Sequence, residues 1–530
     1  MEETKHSTPF AAGFWLAAFI LAWTVDLLFW KQSPGISFFI WMVLAVAGLF
    51  AAAWWEHVKP AALSYFLALA TLVLAGVVFL RSEPFSATIT ALLALAGLGL
   101  LAATLTSGYW SLYRIGDFLL AYLKLAAAGV VRAGQIIVRK PAAEAEPAAQ
   151  STWKTFRRNG FPVLRGIVLA LPVLAVLAAL LASADPVFSQ LLRNVLKVFD
   201  IDRLPEYIFR FTYVIVLTYV FTGVLLHAVF PQPPETRPSP NQPWKMRFLG
   251  STEAAIILGS VVLLFAVFVA LQVRYLFGGQ ANINETGFTY SEYARRGFFE
   301  LVWVAVLSLG LYIGLGAVTR RETPGQERAF TLLTIGLISL VLVILVSALQ
   351  RLLLYENAFG FTRLRMYTHI FIPWLAALLL ITLVLQAVGR PGHLGVSIVL
   401  VALGFGLTFA AFNVDAQITR LNLQRARAGA ELDAEHLASL SADAAPVLVN
   451  AYRDAGYTTA QHDLIGAALA CRQALLPETR DWRAFRLSES RADALLGGLD
   501  LSAYSLVKQD YATYIQLPDQ QLLCLQNNWD

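Results

Sequence analysis

Apolar residues in this chain come in runs of about 20, separated by short stretches that carry most of the charge. A helix needs about 20 such residues to cross a hydrocarbon core about 30 Å thick. Runs at residues 10–30, 36–55, 61–80 and 86–105 form a first group. Runs at 162–183, 207–230, 251–273 and 298–318 form a second, and 329–349, 370–388 and 395–412 bring the expectation to about eleven spans. Residues 109–138 mix apolar positions with Arg114, Asp117, Lys124 and Arg132, which predicts an amphipathic helix lying at the interface. Beyond residue 412 the pattern shortens. Apolar residues recur at helical spacing through 464–476 and 484–496, with Asp433 and Asp443 placed as N-caps and Gly456 as a stop. The expected fold class is all-α: a polytopic transmembrane helix bundle with a small C-terminal helical domain. Its expected divisions are an N-terminal membrane group with the interfacial helix (1–140), a polar linker (141–161), a second membrane group with repeated hairpins (162–412) and a tail (413–530).

Composition narrows the class. Hydrophobic residues are 58% and charged residues 14%, with a mean hydropathy of +0.62, too little polar matter to cover a soluble surface. A cytosolic multi-domain enzyme, a disordered chain and a disulfide-rich secreted scaffold are excluded. Net charge is +5, but the tail from Asn413 onward holds 10 basic and 15 acidic residues, so the membrane body is strongly basic. Anionic headgroups account for that bias without nucleic acid. With the arginine-rich loops around Arg139, Arg237 and Arg320 in the cytoplasm, about 17 basic loop residues lie inside and about 11 outside. This predicts a cytoplasmic N-terminus and, with an odd number of spans, a tail outside. The first run, flanked by Glu2 and Glu3, reads as a retained anchor. Both cysteines, Cys471 and Cys524, fall in the tail; in an exported tail they can pair.

Candidate chemistry is sparse. Glu206-Tyr207-Ile208-Phe209-Arg210 and Glu292-Tyr293-Ala294-Arg295-Arg296 share a Glu-Tyr-x-x-Arg pattern before successive spans, and a third outer segment at 360–367 resembles them only in composition. Glu292, Arg296 and Glu300 fall at i, i+4 and i+8, one helical face entering the bilayer. Such a stripe is either a polar pathway or, as we favour, a salt-bridged stripe that fixes helix depth, because charges near span ends snorkel cheaply. Asp26, within the first span, is a pathway residue or an interface residue. Arg363 and Arg365 are candidates for an anionic headgroup or substrate, although two residues apart on a helix they face apart. Gly310, Gly314 and Gly316 suit close helix packing. No catalytic, cofactor-binding or metal-ligating set emerges, and no Walker A loop, HExxH, GxSxG or dinucleotide fingerprint occurs.

The segments Tyr290-Ser291-Glu292-Tyr293-Ala294-Arg295-Arg296-Gly297-Phe298-Phe299-Glu300-Leu301 and Gly360-Phe361-Thr362-Arg363-Leu364-Arg365 are distinctive, as is Asn413-Val414-Asp415-Ala416 running to Arg420-Leu421-Asn422-Leu423. Together they resemble bacterial polytopic membrane proteins of the domain-of-unknown-function 4153/4173 group. The resemblance runs from the fifth span into the tail and leaves the first four spans uncovered. It implies an inner-membrane protein and supplies no catalytic residues. The leading functional expectation is movement or binding of a small or lipidic solute. The alternatives are an envelope sensor or assembly scaffold that engages a partner through the tail, and, third, a membrane-embedded enzyme. The bilayer is the one partner the sequence itself demands.

Overall fold

The computed structural model describes residues 11–138, 204–230, 247–277, 298–476, 479–509, 512–517 and 521–526. The expected span at 162–183, the linker at 141–161, and Glu292 and Arg296 lie outside the described residues. The helices are α1 (Ala11–Phe29), α2 (Ile36–Trp55), α3 (Ala62–Leu80), α4 (Pro84–Thr104), α5 (Ile115–Val138), α6 (Leu204–Val229), α7 (Ser251–Phe277) and α8 (Phe298–Val318). They continue with α9 (Pro324–Phe359), α10 (Arg363–Ala387), α11 (Leu394–Ala411), α12 (Val414–Arg427), α13 (Ala434–Ser439), α14 (Ala445–Tyr452), α15 (Thr459–Ala474) and α16 (Leu487–Leu496). Ten of these among the described residues are long and apolar enough to cross a membrane. The fold is an all-α polytopic bundle with a small helical tail. The tail also carries a feature the periodicity does not predict, a three-stranded antiparallel sheet of β1 (Leu506–Gln509), β2 (Ala512–Gln516) and β3 (Gln521–Gln526).

Local chemistry sets the helix ends. Glu83 caps α4 with Pro84 at its first position, where a missing N–H costs nothing. Thr323 and Gln326 form a capping box at the start of α9, again followed by proline. That cap starts α9 five residues before the expected run, and the helix continues to 36 residues. Asn413 caps α12 by accepting from the Ala416 N–H, and Asp433 caps α13 as expected. Asp443 caps nothing: Ser441 performs that role, and the Asp443 carboxylate is used elsewhere.

The chain divides into two compact units, Met1–Leu27 with Ala126–His227, and Leu28–Leu125 with Ala228–Asp530. In the first, Gly223 sits against the backbone of Ala128 and Gly129 so closely that a Cβ would lie 2.4 Å from the Ala128 carbonyl oxygen. Small residues allow that approach, which in lipid replaces the hydrophobic drive that water would supply. In the second, one core joins α7 to α10 through Leu258, Leu309, Leu337, Leu345 and Leu379. Another joins membrane helices directly to the tail: Val77, Met366 and Phe409 pack in one cluster with Ile418, Leu448 and Ile465. The outward face of α7 leaves Ile256, Leu263, Leu264 and Val267 exposed, as a lipid solvent permits. Gly310, Gly314 and Gly316 make no close crossing with any described helix; a Cβ at each would meet nothing among the described residues.

Candidate functional site

The most concentrated polar chemistry in the larger unit lies where the tail meets the helix ends. The Arg81-Ser82-Glu83 turn between α3 and α4 supplies one half. Glu83 accepts from the Phe85 N–H (2.8 Å) and the Ser86 N–H (2.7 Å), and the Ser86 and Tyr367 hydroxyls also donate to it. Asp443, 361 residues later, accepts from the Ser82 N–H at 2.8 Å, its hydroxyl at 3.1 Å and the Glu83 N–H at 3.0 Å. Its other oxygen accepts from the Asn413 amide at 3.2 Å and lies 3.7 Å from Arg81. The first residues of α10 and α12 supply the second half. Arg363 grips Asp415 with two hydrogen bonds, 3.0 and 2.8 Å, and the Ser441 N–H adds a third donor at 2.6 Å.

Burial gives this network its weight. Glu83 is 2% exposed, Asp443 2% and Asp415 0%. Burial pushes the Asp415 carboxyl up, but the Arg363 hydrogen bonds and charge, with Ser441, outweigh it and hold the group below the ordinary carboxylate range. Arg472 lies buried beside them and donates to the Leu440 carbonyl; burial pulls its guanidinium down to about 10, with Asp415 and Asp443 opposing. Each of the three buried carboxylates is surrounded by donors from two or more chain segments. Such a saturated cluster fixes geometry and leaves no carboxylate free to take a proton from a substrate or to hold a cation. Among the described residues no three His, Cys, Asp or Glu side chains gather as metal ligands.

Two further loops are clamped at the same end. Gly35 packs so tightly on the backbone of Ala484 and Phe485 that a Cβ would fall within 2.7 Å, and Ile36 N–H donates to Phe485 O at 2.9 Å. Gly360 ends α9 at φ +79°, a backbone conformation that favours glycine, close against the Arg425 guanidinium. Asn422 bonds both backbone groups of Phe361 at 2.8 Å, and Arg425 donates to the Asn357 carbonyl at 2.9 Å. The tail is thereby fastened to the ends of α2, α3, α4, α9, α10 and α11.

A family model matches residues 68–451. The chain belongs to the DUF4153 family, a domain of unknown function. The match to DUF4153 opens inside α3, whereas the resemblance was expected to begin only at the fifth span, so α4 and its Glu83 cap belong to the matched region too. Both halves of the carboxylate network, from Arg81 to Asp443, fall within the DUF4153 match, while Arg472, Cys471 and Cys524 lie beyond it. No curated protein and no solved structure matches the chain.

The residues singled out from sequence take different places. Arg363 enters the network. Arg365 instead stacks over Tyr355 at 4.0 Å and donates to the Phe359 and Gly360 carbonyls, closing the end of α9. Asp26, in the smaller unit, is held by Arg210 at 2.9 and 2.5 Å and accepts from the Tyr213 hydroxyl. Glu300 is exposed in the first turn of α8. Cys471 and Cys524 are joined in a disulfide that ties α15 to β3. Glu83, Tyr367, Asp415, Asp443 and Arg472 carry the site without having been read as such.

Proposed function

We propose that this DUF4153 protein is an envelope scaffold or sensor whose membrane body holds the tail as a fixed platform on the outer face. The carrying observation is the saturated network around Asp415 and Asp443, which fuses the tail to the helix ends. A gate or a transport pathway needs polar groups that can change partners; here Asp26, Arg363 and Arg365 are all committed. The disulfide supports an oxidising compartment for the tail, and the arginine bias of the opposite loops supports the same sidedness. Closing a loop of separation 53 adds at most about 4 kcal/mol to the tail on the loop-entropy argument.

Intact cells treated with a membrane-impermeant maleimide test the placement. Labelling of Cys471 and Cys524 only after prior reduction is expected. Labelling that requires opened cells would put the tail in the cytoplasm and overturn the outward platform. A photo-crosslinking residue at exposed Trp482 should then give a discrete adduct in intact cells. An accessible tail that never forms one returns the advantage to solute movement or binding.

A further inference from the structure

At the end of the larger unit away from the tail, α7 and α9 begin side by side. A short parallel bridge aligns them: Leu249 N–H donates to Val318 O at 3.1 Å and Arg320 N–H to Leu249 O at 2.8 Å. Between their first turns lies a cavity of about 300 Å³, at the lower end of the range typical of ligand sites. Ser251 and Thr252 of α7 and Gln326 of α9 line it, with Thr319 and Arg321 from the connection. The first N–H groups of a helix have no partner within it and carry the positive end of the dipole. At α7 these are led by Ser251 and Thr252, whereas at α9 Pro324 lacks an N–H and Gln326 N–H is taken by Thr323.

The side chains supply the independent sign. Thr319 is fully buried, and its Oγ1 meets no hydrogen-bond partner. A buried hydroxyl without a partner is unfavourable unless a water or a ligand oxygen completes it. The Arg321 side chain is 10% exposed and lies over Phe330 at 4.5 Å. It spends its terminal nitrogens on Glu327 (3.1 Å) and Gly316 O (3.2 Å), and its Nε remains unpaired. Burial pulls this guanidinium below its ordinary value, with Glu327 opposing and the Arg247 charge adding to the fall. The segments that bound the cavity carry Arg247, Arg320, Arg321 and Arg328 and the acids Glu253, Glu322 and Glu327. Of the acids, Glu253 is turned onto the Gly250 N–H and Glu327 onto Arg321. Three of the four carbonyls ending α8, which would repel an anion, are occupied: Leu315 O by Thr319 N–H, Gly316 O by Arg321 and Val318 O by Leu249 N–H.

We propose that this cavity binds a phosphate-bearing anion, with Thr319 and the first turn of α7 holding the phosphate oxygens and Arg321 its charge. Ala255, Ala329 and Phe330 make the remaining wall apolar, which suits a phosphodiester still attached to its acyl chains as well as a free phosphate seated at the rim. The site is separate from the tail network and stands whether or not the tail acts as a scaffold.

The test uses the full chain. Native mass spectrometry on protein from mixed phosphatidylglycerol–phosphatidylcholine vesicles should show preferential retention of phosphatidylglycerol. Thr319→Val, which deletes only the unpaired oxygen, should lower that retention about fivefold. Ala255→Leu, which fills the cavity without touching a hydrogen bond, should abolish it. Displacement of the lipid by millimolar inorganic phosphate would assign the site to a free anion, whereas indifference to phosphate would assign it to the headgroup. Equal retention of both lipids together with no binding of phosphate overturns the proposal. So does unchanged retention in folded Thr319→Val and Ala255→Leu proteins, folding being checked by a monodisperse elution profile.

Discussion

The two ends of the larger unit differ in what surrounds their buried polar groups. At the tail end, three carboxylates are sealed from solvent and each is crowded with donors, although Arg81 Nε, Arg472 Nε and Glu356 Oε1 nearby meet no hydrogen-bond partner. At the far end, a hydroxyl and the Nε of an arginine are sealed in with nothing to bond. Saturation makes a cluster rigid and indifferent to ligands, whereas an unfilled valence beside a cavity leaves something for a ligand to do. It is the cavity beside Thr319 and Arg321, together with their unfilled valences, that sets the far end apart from the junction.

Breaking the saturated end should have the larger effect. Asp415→Ala strands Arg363 and the Ser441 N–H in a dry site, and we expect a loss of about 3–5 kcal/mol, read as earlier thermal unfolding and rapid trypsin cleavage in the tail. Exchanging the pair, Arg363→Asp with Asp415→Arg, should not rescue it, because the Ser441 N–H then faces a cation. Rescue would reduce the junction to a simple ion pair. Tyr367→Phe removes one donor from Glu83 and leaves its backbone donors in place, so about 1 kcal/mol is expected in the same assay. The smallest effect is that of pH. Asp415 titrates below the ordinary carboxylate range, so its contribution is complete at neutral pH and is lost only as pH falls through that lowered value. His436, in contrast, is held below its ordinary value by burial, so the unfolded chain binds its proton first and stability drops slightly as pH falls below about 6.5. Any softening of the tail between pH 7 and 5 should therefore vanish in His436→Gln. If it persists there, a carboxylate of the network is titrating and the saturated picture fails.

The spans were legible because lipid demands one pattern of them. The apolar runs at 36–55 and 298–318 coincide with α2 and α8 to the residue. The run at 329–349 fell short of α9 because hydropathy stops at Arg351 and Glu356, while the helix continues through polar residues that the tail and α10 accommodate. The sheet at 506–526 was missed because strands of four to six residues leave no sustained alternation to read. The junction was missed for a different reason. Ser82 and Asp443 are 361 residues apart, and no spacing rule reaches that far. Asp443, two residues after Ser441, looked like a local cap because sequence shows neighbours only along the chain. Asp26 drew notice as a carboxylate among apolar residues, and Arg210 stood in a quoted motif, yet nothing in the sequence joined them.

The length of α9 carries a mechanical consequence. Thirty-six residues rise about 54 Å, against a hydrocarbon slab of about 30 Å. A helix does not compress along its axis, so the surplus must be taken up by leaning or by standing clear of the lipid. The first turn of this rod walls the cavity through Gln326 and Phe330, and its last residues are gripped by Arg425. Membrane thickness is therefore measured against a strut of fixed length, and a thinner bilayer lifts one end of it further into water without bringing the two ends any closer.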